Sequence, residues 1–261
     1  MRPDRDPLRQ LRRSPRVADG IPVGLRALDL VIVLVALPLA LPLALLLALA
    51  VYVDSPGPVL YRARRVGLGG RSFLMLKFRT MRQDVSGPPL SAAGDARYTP
   101  LGRRLAASRL DELPQLWNVV RGQMRLVGPR PELEEFVREF AEQYDAILSV
   151  APGLTGPAQV EHAWDGDVLA RAQEIERARV YRESILPLKL AIDVDYARRQ
   201  SVRGDLLILA RTALLPPRRA FQHVPLSALA ERGAWPATAA MVSALVAALT
   251  YVYALEAAAP L

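Results

Sequence analysis

The chain has 261 residues, long enough for one sizeable core or for one domain plus membrane segments. Its 34 basic and 26 acidic residues leave a formal charge of +8, a surplus that favours anionic lipid headgroups and phosphate-bearing ligands. No basic stretch is interleaved with the stacking aromatics of a single-strand binder, which argues against nucleic acid. The absence of cysteine excludes disulfides and thiolate metal sites, and two histidines, His162 and His223, argue against a histidine-based metal cluster.

Residues 1–24 are rich in Arg and Pro without an apolar period and are expected to form a flexible basic tail in the cytoplasm. Leu30 to Val53 then gives 24 residues without a charge. That exceeds the apolar region of a secretory signal, about 7–15 residues. At ~1.5 Å per residue a straight helix of this length would cross a bilayer. Pro38 and Pro42 stand near its middle, and each removes a backbone donor and bends the helix. The pieces on either side are each too short to span, since spanning takes about 20 residues. Arg9, Arg12, Arg13, Arg16 and Arg26 precede the segment, and Arg62, Arg64, Arg65 and Arg71 follow it. Positive flanks favour the cytoplasmic side. A proline-broken, re-entrant segment satisfies both flanks, and a straight crossing satisfies one. On these residues alone a simple transmembrane anchor stays open.

Asp54 to Pro58 reads as a turn. Val59 to Arg65 and Ser72 to Met81 are expected as short strands joined through Gly67, Gly69 and Gly70. In the second, Leu74, Leu76 and Phe78 alternate with Phe73, Met75, Lys77 and Arg79, so one face is apolar and the other ends in two charges. Composition alone favours a solvated face for Lys77 and Arg79. Gln83 to Pro100 is polar with Gly and Pro and reads as a loop.

Leu110 to Gly122 holds the adjacent acids Asp111 and Glu112, then Pro114, with Leu113, Leu116, Trp117 and Val120 on one helical face. Asp111 fits the N-cap, Pro114 the first turn and Gly122 the C′ position. Two carboxylates would then stand where a helix begins and phosphate oxygens collect. The plain alternative is that Asp111 only caps and Glu112 only complements the helix dipole.

Glu132 to Val150 carries Leu133, Phe136, Val137, Phe140, Tyr144, Ile147 and Leu148 at helical spacing, and Ala151 to Val160 is a Gly/Pro loop entering a short strand. Val168 to Tyr181 and Pro187 to Arg199 are expected helices, with Asp193 and Asp195 at the surface or in ion pairs. Asp205 to Leu215, bounded by Arg203, Arg211, Arg218 and Arg219, fits a helix in the membrane interface or an ordinary core helix. Ala234 to Leu255 gives 22 residues without a charge, with Ala239, Ser243 and Ala247 at small-xxx-small spacing. It reads as a C-terminal membrane helix, with a surface-lying or partner-packed helix left open.

Four ordered motifs carry a further reading: Lys77-Phe78-Arg79-Thr80-Met81, Asp111-Glu112-Leu113-Pro114-Gln115, Gly128-Pro129-Arg130-Pro131 and Pro152-Gly153-Leu154-Thr155-Gly156. Together they strongly resemble the bacterial sugar transferases, the monotopic phosphoglycosyl transferases that load a sugar phosphate onto a polyprenyl phosphate. The resemblance implies an α/β membrane-associated fold, with an N-terminal re-entrant membrane helix broken at Pro38 and Pro42 and a small sheet with packed and interfacial helices. The organisation that follows is a tail over 1–24, membrane helix and turn over 25–58, a cytoplasmic catalytic domain over 59–222, and the 234–255 segment, which the resemblance does not reach. It implies Asp111 as nucleophile with Glu112 as its partner, and Mg²⁺ held at both. Lys77, Arg79, Arg130 and Gln159 would contact substrate or its phosphates. The donor would be a nucleotide sugar, of the UDP type, and the acceptor undecaprenyl phosphate, with UMP released at the bacterial inner membrane; a homodimer stays open.

Two departures stand out. The Arg usual five residues before the nucleophile is Ala106 here, with Arg103, Arg104 and Arg109 nearby, and the loop after Gly156 reads Pro157-Ala158-Gln159-Val160-Glu161-His162-Ala163, without its usual Arg. That loop bears on nucleotide or sugar choice. An inactive adaptor of the same fold and a basic peripheral protein binding anionic lipid or nucleic acid are the competing readings. Retention of Asp111, Glu112 and Arg130 argues against the first, and the uncharged segments with the acid pair against the second.

Overall fold

The computed structural model describes residues 7–11, 20–83, 95–161 and 176–214, with Val85, Gly87 and Leu169 between them. The 234–255 segment and most of the expected 168–181 helix lie outside the described residues. Within the stretch expected as a flexible tail, Pro7–Leu11 forms a short helix, α1. Leu8 and Leu11, three residues apart, are buried in the same core as Phe136, Val137 and Tyr144. Two leucines at one-turn spacing were too short a signal to distinguish from a tail.

The second helix, α2, runs from Val23 to Asp54, 32 residues, with Pro38 and Pro42 inside it rather than at its ends. It is long and apolar enough to cross a membrane by length and composition. Leu25, Asp29, Ile32 and Val33 bury one helical face near its start, and Val51 is buried near its end. Ile32 and Val33 share a core with Ala63, Met75, Val119, Met124 and Leu126. Val51 shares another with Phe78 and Leu105. Between these anchors Leu34, Val35, Leu39, Leu45 and Leu46 are exposed. Both ends of the helix therefore pack on the same body, and its middle does not.

Strands β1 (Leu60–Val66) and β2 (Ser72–Phe78) form an antiparallel hairpin with Leu60 opposite Phe78 and Val66 opposite Ser72. Helix α3 (Pro100–Ser108) starts at Thr99, whose hydroxyl accepts from the Gly102 amide at 2.9 Å, and it ends at Arg109 in the left-handed region at φ 59°. One turn of 3₁₀ helix (Leu110–Glu112) leads to α4 (Gln115–Val120). The expected helix over 132–150 is two, α5 (Glu134–Glu139) and α6 (Ala141–Ile147), separated at Phe140 with φ −109° and ψ 39°.

Strands β3 (Arg125–Val127) and β4 (Gly153–Thr155) pair in parallel, Arg125 with Gly153 and Val127 with Thr155. Glycine is required here by close approach. A Cβ on Gly153 would stand 2.1 Å from the Gly128 nitrogen, and one on Gly156 would stand 2.2 Å from the Gly128 oxygen. The Gly-Pro-Arg-Pro and Pro-Gly-Leu-Thr-Gly motifs are thus two halves of one strand pair. Then come α7 (Pro157–Glu161), α8 (Arg177–Val180), a π turn (Tyr181–Ile185), α9 (Leu186–Arg199) and α10 (Val202–Leu214). Asp195 pairs with Arg199 at 2.9 Å, as its position suggests. Asp193 differs from the surface expectation, because it is buried against the start of α7, where the Ala158 amide bonds to its carboxylate.

Candidate functional site

The site begins with an asparagine. Asn118 on α4 accepts from the Leu76 amide at 3.0 Å and donates to the Leu74 carbonyl at 2.8 Å, so its amide pairs with the edge of β2 as a neighbouring strand would. This fixes α4, and the acids one turn before it, beside the end of β2. There Lys77 Nζ lies 3.0 Å from Glu112 Oε1 and 3.8 Å from Asp111 Oδ2. From the other side comes Arg130. The Gly128 amide donates to the Thr155 carbonyl at 2.8 Å and the Gly153 amide to the Pro129 carbonyl at 2.9 Å, which extends the β3–β4 pairing up to that residue. Its Nη2 meets Glu112 Oε1 at 2.7 Å and its Nη1 meets Oε2 at 3.5 Å.

The two neighbouring carboxylates are unequal. Burial works against the charge on Glu112, but the Arg130 and Lys77 charges, with the hydrogen bonds they make, outweigh it and hold that carboxyl well below the usual range. Glu112 in turn pushes the Arg130 guanidinium up. Asp111, only 7% exposed, is raised above its ordinary 3.8, first by burial and then by the Glu112 charge, with Lys77 offsetting only part of this. Environments that push two adjacent acids apart assign them different roles. Glu112 is a fixed anion that organises two cations, and Asp111 carries a charge that its surroundings compensate poorly.

Asp111 is not the expected N-cap. It lies inside the 3₁₀ turn, whose N-cap is Arg109, and Pro114 takes the N-cap position of α4. A proline there offers no amide, and α4 has only six residues. Lys77 and Arg130, not helix amides, are what a phosphate would meet. The expected phosphate contact from Arg79 is placed elsewhere. Its guanidinium is 6% exposed and bonds the Ser55 carbonyl at the end of α2. Gln159 is buried in α7, and its amide makes no hydrogen bond among the described residues. Lys77, Asp111, Glu112 and Arg130 are therefore brought together, and Arg79 and Gln159 are not joined to them by any hydrogen bond or ion pair among the described residues.

No group of three or more His, Cys, Asp or Glu side chains suited to a metal is present among the described residues. The pair nevertheless fits Mg²⁺, which binds through one or two carboxylates plus phosphate oxygens and water. Both Glu112 oxygens already face cations, so Asp111 is the freer ligand. The donor set suits an ion that arrives with a diphosphate better than one caged by protein alone.

Arg125 and its buried partner Asp205 were not singled out from the sequence, whereas Arg26 and Asp29 match the basic-and-Asp entry to the re-entrant helix that the family resemblance implies. Arg125 on β3 is 1% exposed and bonds Asp29 Oδ2 at 2.9 Å and Asp205 Oδ2 at 2.9 Å, while the Tyr196 hydroxyl donates to Asp205 Oδ1 at 2.8 Å. Arg26 donates to the carbonyls of Val119 and Val120, tying the start of α2 to the end of α4. The available signal was Asp29 itself, a lone acid in an otherwise apolar run, which demands a partner.

A model of the bacterial sugar transferase family, under the description "Bacterial sugar transferase", matches residues 22–216. The chain is 42% identical over 203 residues to a UDP-glucose:undecaprenyl-phosphate glucose-1-phosphate transferase of Caulobacter vibrioides, covering 76% of this chain and 70% of that protein. It is 40% identical over 192 residues to a UDP-N-acetylgalactosamine-undecaprenyl-phosphate N-acetylgalactosaminephosphotransferase of Aeromonas hydrophila, covering 72% and 42%. It is 35% identical over 192 residues to a UDP-glucose:undecaprenyl-phosphate glucose-1-phosphate transferase of Escherichia coli, covering 72% and 39%. The matched region is thus under half the length of the second and third of these relatives.

Proposed function

The chain belongs to the bacterial sugar transferase family, a family of phosphoglycosyl transferases, and on that premise we propose that it transfers a sugar-1-phosphate from a UDP-sugar to undecaprenyl phosphate through an intermediate on Asp111. The observation that carries this reading is the inequality of the two acids. Glu112 is held by Lys77 at 3.0 Å and Arg130 at 2.7 Å, and Asp111 beside it meets Lys77 at the longer 3.8 Å.

In the first step an Asp111 carboxylate oxygen attacks the sugar-linked phosphorus of the donor. A new O–P bond forms, the bond to the bridging oxygen breaks, and that oxygen leaves with UMP. In the second step a phosphate oxygen of the lipid attacks the same phosphorus, and the Asp111–phosphorus bond breaks, restoring the carboxylate. Splitting the transfer in two is what a carboxylate nucleophile offers. Both steps bring anions together, so positioned positive charge dominates the barrier. Lys77 and Arg130 supply it, with Glu112 keeping both aimed at one place. Mg²⁺, held by Asp111 and Glu112 with the donor's phosphates, would add further charge neutralisation.

The packing of α2 supports the membrane placement in this proposal. A 32-residue helix is roughly 48 Å long if straight, well over a hydrocarbon core of about 30 Å. Yet Ile32, Val33 and Val51 all bury into one folded body. A helix whose two ends belong to the same domain has both ends on the same face of the bilayer. Its exposed leucines enter the membrane as a re-entrant segment around Pro38 and Pro42, and the catalytic domain lies on the cytoplasmic face of the inner membrane. The relatives named above differ in their sugar, so the donor is tested directly. Release of UMP from a panel of UDP-sugars, with and without undecaprenyl phosphate in the membrane, is expected to give turnover with one sugar and only when lipid is present. No lipid-dependent release with any of them would contradict the reading.

A further inference from the structure

An apolar cleft of about 260 Å³ has Glu112 in its lining. Leu110, Leu113 and Leu116 line it together with Leu126, Leu154 and Leu209 of α10. Arg109 stands at it too, half-buried, in the one left-handed non-glycine conformation among the described residues. Arg109, two residues before Asp111, thereby contributes to the lining of this cleft. Thr155 and Thr212 meet across its end at 2.7 Å, which pins α10 onto β4.

Helix α10 has two different sides. Leu209 and Thr212 face the cleft, whereas Arg203, Leu207, Arg211 and Leu214, spaced four, four and three apart, are exposed. Leucines alternating with arginines along one outer stripe fit a membrane interface, where the guanidinium reaches headgroups and the apolar part enters the acyl region. The cleft therefore lies one helix thickness, about 10 Å, behind this outer stripe.

We propose that this cleft is the seat of the head-proximal isoprenoid units of the lipid acceptor, with Arg109 meeting the acceptor's phosphate at its mouth. The inference rests on the transferase reading above and names where its second substrate enters. Three observations select this occupant. A purely sugar-binding slot would show more hydrogen-bonding groups than a leucine-lined one. An apolar slot that has Arg109 and Glu112 in its lining suits a chain carrying a terminal phosphate. A five-carbon branched unit needs roughly 150 Å³ if each carbon group takes about the 30 Å³ of a liquid water, so the cleft accepts one to two such units before the chain must turn out past α10 into the bilayer.

The test uses the full chain in lipid nanodiscs, with farnesyl phosphate as a short branched acceptor and n-dodecyl phosphate as an unbranched one of similar length. Leu209→Trp and Leu116→Trp each narrow the cleft, one from α10 and the other from α4. The proposal expects the KM for farnesyl phosphate to rise at least tenfold in both, while the burst of UMP released without acceptor keeps its amplitude. That burst also reports that each variant is folded. Unchanged acceptor KM with an intact burst overturns the cleft assignment, whereas no burst and no turnover in the parent chain overturns the transfer reading instead. A photoreactive farnesyl phosphate provides a second readout that needs no turnover. Its crosslinks are expected on the peptides holding Leu116 and Leu209, and farnesyl phosphate should compete at least tenfold better than dodecyl phosphate. Crosslinks confined to 234–255 would mean that another apolar segment receives the chain, and equal competition would mean that the cleft takes any alkyl phosphate; either result overturns the proposal.

Discussion

Arg125 and Asp29 lie 96 residues apart in sequence and meet at 2.9 Å, with Arg125 1% exposed. This pair joins the start of α2 to β3, and Asp205 joins the same guanidinium to α10. Removing one partner of a buried pair leaves an uncompensated charge, typically at a cost of 3–5 kcal/mol. Because Asp205 remains, Asp29→Ala is expected at the lower end, about 3 kcal/mol. Chemical unfolding of the purified protein in detergent measures it. A loss below about 0.5 kcal/mol, the size of an ordinary surface substitution, would show that the clamp does not hold the helix.

Glu112→Gln keeps the side chain's size and removes the anion that Lys77 and Arg130 share. Hydrogen bonds to charged groups contribute about 1.5–3 kcal/mol, so a stability loss in that range is expected. Activity should fall by at least two orders of magnitude, the scale of losing one organised electrostatic group. Turnover within threefold of the parent would remove Glu112 from the site's chemistry.

Asp193 links pH to stability. Burial raises its carboxyl from 3.8 to about 7, with Lys189 opposing the shift and Glu132 adding to it. A raised folded value means that the folded chain holds the proton more tightly than the unfolded one. Stability is therefore expected to decline as pH rises from about 4 through 7, and Asp193→Asn should remove that decline. Thermal unfolding of both proteins between pH 5 and 8 checks it; parallel curves would contradict it.

The hairpin and the helix over 187–199 were legible from the sequence because each leaves a short-range mark, whereas the grouping of Lys77, Asp111, Glu112 and Arg130 was expected only through the family resemblance of the four motifs. Alternation marked β2, and proline and glycine marked the ends of the motifs. The mode of support was not legible. Asn118 acts as a strand neighbour to Leu74 and Leu76, and nothing local distinguishes it from a surface asparagine. Arg79 sits in the same alternating pattern as Lys77, but β2 ends between them, so one side chain reaches the acids and the other the end of α2. Asp111 was misplaced at a helix start because Arg109, the residue that turns the chain, takes a left-handed backbone that sequence favours for Gly or Asn.

The chain has no native cysteine, so single introduced ones report topology cleanly. Gly20→Cys and Arg64→Cys replace exposed residues on either side of α2. Both are expected to resist a membrane-impermeant maleimide applied to the outside of spheroplasts, and to react after permeabilisation. Labelling of one from outside and the other only after permeabilisation would establish a straight crossing.

The most direct test of the central claim is the bond on Asp111. The protein is mixed with its UDP-sugar and no lipid acceptor, quenched, digested and analysed by mass spectrometry. One phosphosugar is expected on the peptide spanning Asp111, absent in Asp111→Asn, and lost on adding undecaprenyl phosphate as lipid-linked sugar appears. Turnover without any such adduct in rapid-quench samples, with kinetics requiring donor and acceptor bound together, would contradict the account and make Asp111 a ligand or base in a direct transfer.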